Sequence, residues 1–296
     1  MSSKHEKGDR LTFRAARKVS LSPFSITALS GGFFRLDGGA MFGVVPKVLW
    51  EKLCPPDPEN RVLLALRPFL VQGNGKTVLI DPGMGTRWDE KGKKMFVLDQ
   101  RTDLVEELRA AGVRPEGVGD ILASHLHWDH IGAAVEADAQ GRLVPVFPNA
   151  TVWVAREELD AALREDHPRR ASYHPEEVRC LLEAGRLRTF DGPSHSPAAG
   201  ITQHLIRGHS RGNSIVTIEG GGQTAVFWDD VVPTRHHVHP SYIMAFDVDQ
   251  DLSYRVRSEW IARAAEGGWI SMFFHDPDHA FGKIRREGKK FLFEPL

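Results

Sequence analysis

The chain has 296 residues, 41% of them hydrophobic and 26% charged, with a formal net charge of −1. This balance is typical of a soluble globular protein that can bury a sizeable core. It argues against a long nucleic-acid footprint, which would show as a surplus of lysine and arginine. The apolar runs are also far shorter than the ~20 residues that a transmembrane helix needs.

The cysteines and the N terminus indicate the compartment. Cys54 and Cys180 match no redox or metal-ligand spacing, so we expect two free thiols in a reducing compartment. The polar N terminus is not followed by the apolar segment of a signal peptide. We therefore expect a cytoplasmic protein, with residues 1–10 as a disordered leader and residues 11–296 as a single domain.

Short apolar strand patterns alternate with helix patterns along the chain. In chain order, we predict strands over Arg61–Gln72, Lys76–Asp81, Asp120–Ser124, Thr151–Ala155, Ser214–Glu219, Gln223–Trp228 and, as the last strand, Trp269–Phe274. We predict helices over Asp103–Ala111, Glu157–Glu165, Pro175–Ala184 and Leu252–Glu266.

Hairpins are mixed with strand–helix–strand units in this pattern. Three consecutive glycines, Gly220 to Gly222, separate two strand patterns and indicate a hairpin. Purely parallel winding would contain no hairpins, so the pattern favours an α/β fold with helices outside and two mixed sheets inside. The segments 77–81 and 224–230 are both apolar strands that end in aspartate, which suggests two similar halves.

The segment from Ser124 to His130, with the sequence SHLHWDH, carries the strongest functional signal. Three imidazoles and a carboxylate fall within six residues, between a buried strand and the start of a helix. His125 and His127 are two apart, so in an extended segment their side chains point the same way and can bind one cation. Asp129 and His130 lie where the chain turns into a helix and can bind a second. A His-rich surface loop is the alternative, and the apolar strand before the motif argues against it.

Further ligand-type residues stand where later strands end. His209 lies between a strand and a glycine turn, Asp229 and Asp230 end a strand, and His275 ends the last predicted strand. Each residue alone is a weak signal. Together they predict a metal site at one edge of the sheets, because imidazole and carboxylate are suitable ligands for zinc, manganese, iron and cobalt.

The order HxHxDH, GHS, a strand-ending aspartate and a late histidine resembles the metallo-β-lactamase superfamily, over about residues 25–284. The resemblance implies a four-layer αββα sandwich with two divalent cations, zinc being the first choice. It implies that the first cation is bound by His125, His127 and His209. It implies that Asp129, His130 and His275 bind the second cation, that Asp230 bridges the two, and that Asp81 orients a ligand.

Three positions refine the resemblance. His127 separates the chain from the di-iron electron-transfer branch, which has an acid there, and Asp230 separates it from the antibiotic-cleaving enzymes, which have a cysteine ligand nearby. The family usually has glycine before the bridging acid, where this chain has Asp229. We expect Asp230 to bridge, because it aligns with the family position. The chain is most similar to the group that contains acyl-homoserine-lactone lactonases and methyl-parathion-hydrolase-like enzymes.

The chemistry implied is hydrolysis of a small ester, a lactone before others. Two cations ~3.5–4 Å apart would activate a shared water to hydroxide, and Asp129 or Asp230 would accept its proton. The alternatives are an organophosphate or phosphodiester hydrolase or nuclease and, outside enzymes, a metal-binding regulatory protein with little turnover.

Candidate substrate contacts come from the apolar N-terminal third and from the loop after Asp230. We predict Phe42 as part of an apolar pocket wall and Tyr242 as a hydrogen-bond donor to substrate. We also select His237 as a substrate contact; its His-rich loop could be a substrate loop or an extra metal site, and the favoured alternative is a solvated turn. The resemblance further implies a small-molecule substrate, no membrane partner and a homodimer through an apolar segment such as Met41–Trp50.

Overall fold

The structure is a computed structural model that describes residues 17–99, 103–167 and 169–296. The leader predicted at residues 1–10 lies outside these ranges. Within them the strands are β1 (Lys18–Leu21), β2 (Phe24–Ala28), β3 (Phe33–Asp37), β4 (Arg61–Ala65), β5 (Phe69–Gly73), β6 (Lys76–Ile80), β7 (Asp120–Leu122), β8 (Val135–Ala137), β9 (Leu143–Pro145), β10 (Thr151–Ala155), β11 (Leu187–Phe190), β12 (Ser194–Ala198), β13 (Ile201–Leu205), β14 (Ser214–Gly220), β15 (Gln223–Phe227), β16 (Ile270–Met272), β17 (Phe281–Glu287) and β18 (Lys290–Pro295). The α-helices are α1 (Gly38–Phe42), α2 (Lys47–Trp50), α3 (Glu90–Phe96), α4 (Leu104–Ala110), α5 (Trp128–Ile131), α6 (Arg156–Leu163), α7 (Pro175–Glu183) and α8 (Gln250–Gly267).

Helix ends follow the local capping chemistry. The longest described helix, α8, begins after Asp249, whose carboxylate accepts the backbone N–H of Leu252, and it ends at Gly268 in the left-handed conformation. Helix α4 begins in the same way after Asp103. These caps explain why the sequence pattern locates both helices to within about two residues. Of the helices in the described ranges, none combines the length and apolar character that a membrane span requires.

Two seven-stranded mixed sheets form the centre of the fold. The first has the order β1-β2-β5-β6-β7-β10-β11, antiparallel up to β6 and parallel from β6 onward. The second has the order β12-β13-β14-β15-β16-β17-β18, and only its β15–β16 pair is parallel. The prediction of two mixed sheets is therefore confirmed.

The inner faces of the two sheets pack against each other. Phe69 of the first sheet is fully buried, and its ring centroid lies 5.6 Å from that of Phe227 and 5.5 Å from that of Phe281, both in the second. Helices α4, α6 and α7 cover the outer face of the first sheet, and α8 covers that of the second. The layers are thus helix, sheet, sheet, helix, as the resemblance implied, because each sheet must bury both of its faces.

Strands β6 and β15 occupy equivalent places in the two sheets. Each pairs antiparallel with the strand before it in sequence, and parallel with one neighbour on its other side. Asp81 is the first residue after β6, and Asp229 is the second residue after β15. Both adopt positive φ values, 44° and 53°. The similarity of the two halves that the sequence suggested is visible at this position.

Two strand predictions were wrong in extent. The run Arg61–Gln72 is two strands, because β4 pairs with β3 outside the large sheets whereas β5 belongs to the first sheet, and Leu66 to Pro68 separates them. The segment Trp269–Phe274 contains only the three residues of β16, and it is not the last strand. β17 and β18 follow as a hairpin that turns at Gly288, where φ is 59°. Their many charged residues hid the strand pattern.

Candidate dinuclear metal centre

The motif from Ser124 to His130 lies at the carboxyl end of β7, at the junction of the two sheets. His127 is the last residue before the one-turn helix α5, which contains Asp129 and His130. The four residues at positions 125, 127, 129 and 130 are at most 7% exposed. The apolar strand therefore delivers the polar motif to a buried edge, as the sequence predicted.

Three imidazoles converge on one point. The Nδ1 atom of His127 lies 2.9 Å from Nε2 of His125 and 3.3 Å from Nε2 of His209. His209 comes from the loop after β13, 82 residues further along the chain. Their ligand atoms lie within 4.8 Å of one another. These are the three residues that the resemblance assigned to the first cation.

A second group lies beside the first. Nε2 of His275 is 3.2 Å from Nε2 of His130 and 3.5 Å from Oδ2 of Asp129. His275 follows β16, so the second sheet supplies this ligand-type residue. The three are the residues that the resemblance assigned to the second cation.

Asp230 faces both groups. One of its oxygens, Oδ2, lies 3.2 Å from Nε2 of His209, and the other, Oδ1, lies 3.0 Å from Nε2 of His275 and 3.6 Å from Nε2 of His130. Asp229 points elsewhere, toward Ser124 and His125. The carboxylate between the two groups is therefore that of Asp230.

Four of the imidazoles direct their other nitrogen, Nδ1, at an acceptor. His130 faces Asp81 at 2.8 Å, His125 faces Asp229 at 3.1 Å, His209 faces Asp247 at 3.0 Å, and His275 faces the carbonyl oxygen of Ala65 at 2.9 Å. An acceptor at Nδ1 fixes the proton there and leaves Nε2 free as a ligand. Asp81 was expected in such a role from the family resemblance, but Asp247 and Ala65 were missed, because the resemblance named no counterpart for them and no local pattern marks them.

Asp81 and Asp229 also share one hydroxyl. The Oγ atom of Ser124 lies 2.5 Å from Asp81 and 2.8 Å from Asp229, and the backbone N–H of Ser124 donates to Asp81 at 2.7 Å. All three residues are fully buried. The two aspartates with positive φ thus both contact Ser124, the first residue of the motif. One of them follows a strand of the first sheet and the other follows a strand of the second.

The geometry fits cations rather than a closed hydrogen-bond network. Oδ1 of Asp230 is buried and accepts no hydrogen bond from the described residues. The Nε2 atoms of His130 and His275 face each other at 3.2 Å, although each ring has an acceptor for its proton at Nδ1. Converging lone pairs beside an unpaired carboxylate oxygen are the arrangement that a bound divalent cation satisfies.

The pKa shifts show the same excess of negative charge. Burial alone would lower the pKa of His125 and His275, but the carboxylates of Asp229 and Asp230 outweigh it and raise these pKa values to about 10 and about 9. Burial would raise the pKa of Asp230, yet the surrounding histidines hold it well below its usual range. A field that draws protons onto imidazoles in this way equally favours divalent cations between them.

A cavity of about 200 Å³ opens onto the cluster. Five residues of the cluster line it together with Trp128, Ala171 and Ser172. Its remaining walls are apolar and consist of Leu36, Met41, Leu64, Phe96, Met244 and Phe246. Ser172 is the one side chain with a hydroxyl among these lining residues of the described chain.

The predicted substrate contacts are not among the residues that line this cavity. Phe42 is buried and stacks between Trp50 and His237, at ring distances of 5.1 and 4.6 Å. Both ring nitrogens of His237 are used, one by Thr234 and one by the carbonyl oxygen of Met41. Tyr242 packs edge-on against Phe42 behind the wall. Phe42 and His237 therefore support the cavity wall, and the neighbours Met41 and Met244 face the cavity.

The arrangement of sheets, helices and histidine–aspartate cluster defines a metallohydrolase fold. Residues 68–251, more than half of the chain, match the metallo-beta-lactamase superfamily, and the chain belongs to that family. Among curated relatives, the N-acyl homoserine lactonase of Bacillus cereus is 24% identical over 175 residues, 55% of this chain and 61% of that protein. N-acyl homoserine lactonase AttM of Agrobacterium fabrum is 40% identical over 70 residues, 24% of this chain and 23% of that protein. The matches thus span less than two thirds of these relatives.

Solved structures match over nearly the whole chain. A probable metal-dependent hydrolase from Staphylococcus aureus superposes with a TM-score of 0.87 at 27% identity, covering 94% of this chain and 99% of that one. AidC, a dizinc quorum-quenching lactonase solved with a product, superposes with a TM-score of 0.76 at 21% identity, covering 95% and 97%. The hydrolase AbOPH superposes with a TM-score of 0.78 at 22% identity, covering 96% and 98%. The last two show the fold alone.

Proposed function

We propose that this chain is a metal-dependent hydrolase that opens the ester bond of a small lactone carrying an apolar substituent. One observation carries the proposal: the histidine–aspartate cluster forms part of a 200 Å³ cavity whose other walls are mainly aliphatic and aromatic. Binding sites of this kind bury an apolar ligand and orient it by a few polar groups. The sequence likeness to proteins named N-acyl homoserine lactonase supports a lactone over other esters.

The cluster would hold two divalent cations, and we propose zinc. The residues for the first cation are His125, His127, His209 and Oδ2 of Asp230. The residues for the second are Asp129, His130, His275 and Oδ1 of Asp230. Sets of imidazole nitrogen and carboxylate oxygen suit zinc, and Asp230 would join the two sets into one centre.

Two bound cations would supply Lewis acidity, which polarises an ester carbonyl and makes water a nucleophile at neutral pH. Asp129 is the better of the two aspartates for moving the proton. Burial raises the pKa of Asp129 to about 6, whereas nearby histidines keep the pKa of Asp230 well below its usual range. The Asp129 carboxylate would accept a proton from water and return it to the leaving alkoxide.

The cavity walls would select the substrate. Met41, Met244 and Phe246 present apolar surface beside the cluster, so an acyl or alkyl substituent gains free energy by leaving water there. Ser172 would orient the substrate through its hydroxyl, since it is the hydroxyl-bearing residue of this lining within the described ranges. A substrate with a charged substituent would lose its hydration without a partner.

The test combines elemental analysis with a turnover screen on an N-acyl homoserine lactone, a thioester, an aryl phosphotriester and a phosphodiester. We expect about two zinc ions per chain and turnover of the lactone above the other three substrates. Asp230→Ala should lose both the metal and the activity, because its two oxygens serve both cations. Asp278→Ala removes an exposed carboxylate three residues after His275 and should retain both.

Two results would overturn parts of this proposal. A protein that binds no metal after supplementation and turns over no substrate is not a metallohydrolase. Two metals with turnover of the phosphotriester rather than the lactone would retain the metal centre and replace the substrate class.

A further inference from the structure

Glu158 is a fully buried carboxylate outside the metal cluster, on helix α6. Its neighbours Glu157 and Asp160 on the same helix are exposed, as glutamate and aspartate usually are. A carboxylate without contact to water is costly unless hydrogen bonds replace its hydration. Its partners therefore show what it is for.

Both carboxylate oxygens of Glu158 accept two hydrogen bonds. Oε1 accepts the backbone N–H of Leu126 at 3.1 Å and the hydroxyl of Tyr173 at 3.1 Å. Oε2 accepts the hydroxyl of Ser210 at 2.6 Å and the backbone N–H of Gly212 at 3.0 Å. All four donors are neutral, so within the described ranges the carboxylate is held by directed hydrogen bonds and not by an ion pair.

Three of these donors, Leu126, Ser210 and Gly212, belong to the loops that carry the first ligand group. Leu126 lies between His125 and His127, and Ser210 follows His209 directly. Tyr173 adds to the same connection, because its backbone pairs with that of His127 and its ring lies 4.8 Å from the ring of that histidine. One carboxylate thus joins two loops that are otherwise about 80 residues apart in sequence.

The close approach of the second loop to α6 requires glycine at position 212. A Cβ atom there would lie 2.4 Å from the backbone nitrogen of Glu158 and 2.6 Å from its Cβ. Real Cβ atoms do not approach backbone so closely, so the loop can reach the carboxylate only with Gly212. The segment GHSRGN therefore supplies hydrogen-bond donors to the Glu158 carboxylate as well as His209 to the cluster.

We propose that Glu158 is a positioning residue that sets the geometry of the first metal site, and of that site selectively. The inference rests on the proposed dinuclear centre. The second ligand group is oriented by other residues: Asp81 accepts from His130, and the carbonyl of Ala65 accepts from His275. Loss of the Glu158 carboxylate should therefore loosen the site of His125, His127 and His209 and spare its neighbour.

Glu158→Gln is a sharp probe, because it keeps the size of the side chain. Its amide has one acceptor oxygen, and each oxygen of Glu158 now accepts one backbone N–H. Whichever way the amide turns, either Leu126 or Gly212 meets an N–H₂ donor instead of an acceptor. Hydroxyl groups can rotate to accept, but a backbone N–H cannot.

The experiment isolates each site in a separate background. His275→Ala leaves the first site to be titrated with Zn²⁺, and His209→Ala leaves the second. We expect Glu158→Gln to weaken Zn²⁺ binding by about 10- to 100-fold in the His275→Ala background and to leave it unchanged in the His209→Ala background. Glu157→Gln is the matched control, since its carboxylate binds Arg207 at the exposed surface of the same helix and should change neither site.

The outcomes separate this inference from the proposed function. Wild-type protein that binds fewer than two Zn²⁺ contradicts the dinuclear centre itself. Wild-type protein that binds two, with Glu158→Gln weakening both sites equally or neither, overturns the role of Glu158. Should circular dichroism show that the Gln variant is unfolded, Ser210→Ala removes the 2.6 Å hydrogen bond alone. It should then weaken the first site only, and equal effects at both sites would overturn the inference.

Discussion

Asp229 occupies the position at which the family resemblance implies a glycine. Its φ of 53° lies in the left-handed region, which glycine adopts freely and which costs other residues energy. In return, its carboxylate accepts from Ser124 at 2.8 Å and lies 3.1 Å from Nδ1 of His125. The unfavourable backbone conformation therefore places an acceptor that orients the ring of His125.

Substitutions at position 229 should separate the acceptor from the backbone conformation. Asp229→Gly removes the acceptor and should weaken Zn²⁺ binding at the first site by about 10-fold. Asp229→Asn keeps an acceptor oxygen and tolerates the left-handed conformation, so its affinity should stay near that of the wild type. Calorimetric titration of both variants measures this, and equal affinities for Gly and Asn would show that Asp229 does not orient His125.

At the scale of elements, the motif helix α5 depends on a close contact with the turn after β6. The backbone N–H of Gly83 donates to the carbonyl of His130 at 2.9 Å, and that of Ala133 donates to the carbonyl of Gly83 at 2.8 Å. Gly132 lies at the contact with an ordinary helical φ of −54°. A Cβ atom there would lie 2.5 Å from the carbonyl oxygen of Met84. Glycine is needed here for space and not for conformation.

Gly132→Ala should accordingly destabilise the protein by about 1–3 kcal/mol, the usual cost of overpacking against backbone that cannot yield. Gly117→Ala is the matched control, because Gly117 also lies in a short 3-10 helix. A Cβ atom at position 117 would have a side-chain atom at 3.8 Å as its nearest neighbour. The free energies of unfolding come from urea titration. A Gly132 variant as stable as the control would show that the contact relaxes without cost.

At the scale of the whole molecule, two sheets contribute charge to one buried centre. Asp81 and Asp129 come from the first half of the chain, and Asp229, Asp230 and Asp247 come from the second. All five residues are at most 7% exposed. No lysine or arginine lies among the described ion-pair partners of the cluster histidines and aspartates. Protons or cations must therefore balance the carboxylate charge where the halves meet.

The pH dependence of the metal-free protein follows from this charge. The pKa values of His125 and His275, about 10 and about 9, lie above the ~6.5 of an unfolded histidine. Groups with raised pKa values stabilise the fold fully below pH ~6.5 and lose that contribution as the pH rises toward 9. The Tm of chelator-treated protein should therefore fall between pH 6.5 and 9.

Added zinc should remove this fall, because the cations replace the protons between the same carboxylates. The gap between the Tm values with and without zinc should widen as the pH rises from 6.5 to 9, and thermal unfolding at three pH values measures it. A gap that stays constant or narrows over this range would contradict competition between protons and metal at the cluster.

The sequence alone determined much of the site and the plan of the fold. Residues His125 to His130 are recognisable because four ligand-type side chains fall within six residues after an apolar strand. Such local spacing can be read from the sequence without a structure. His209, Asp230 and His275 each follow an apolar strand within three or four residues. Strand and helix periodicity indicated the mixed sheets for the same reason: both patterns repeat over a few neighbouring residues.

Only the tertiary structure decided which groups support that cluster and what lines the cavity. Asp247, the carbonyl of Ala65 and Glu158 contact the cluster histidines or the motif across 32 to 210 positions, so no local pattern marks them. Phe42 and His237 resembled pocket residues but pack behind the wall, since their burial against each other is set by how two distant loops meet. Short stretches of sequence therefore indicate which residues can bind a metal. The orientation of each of these side chains depends on partners that only folding brings together.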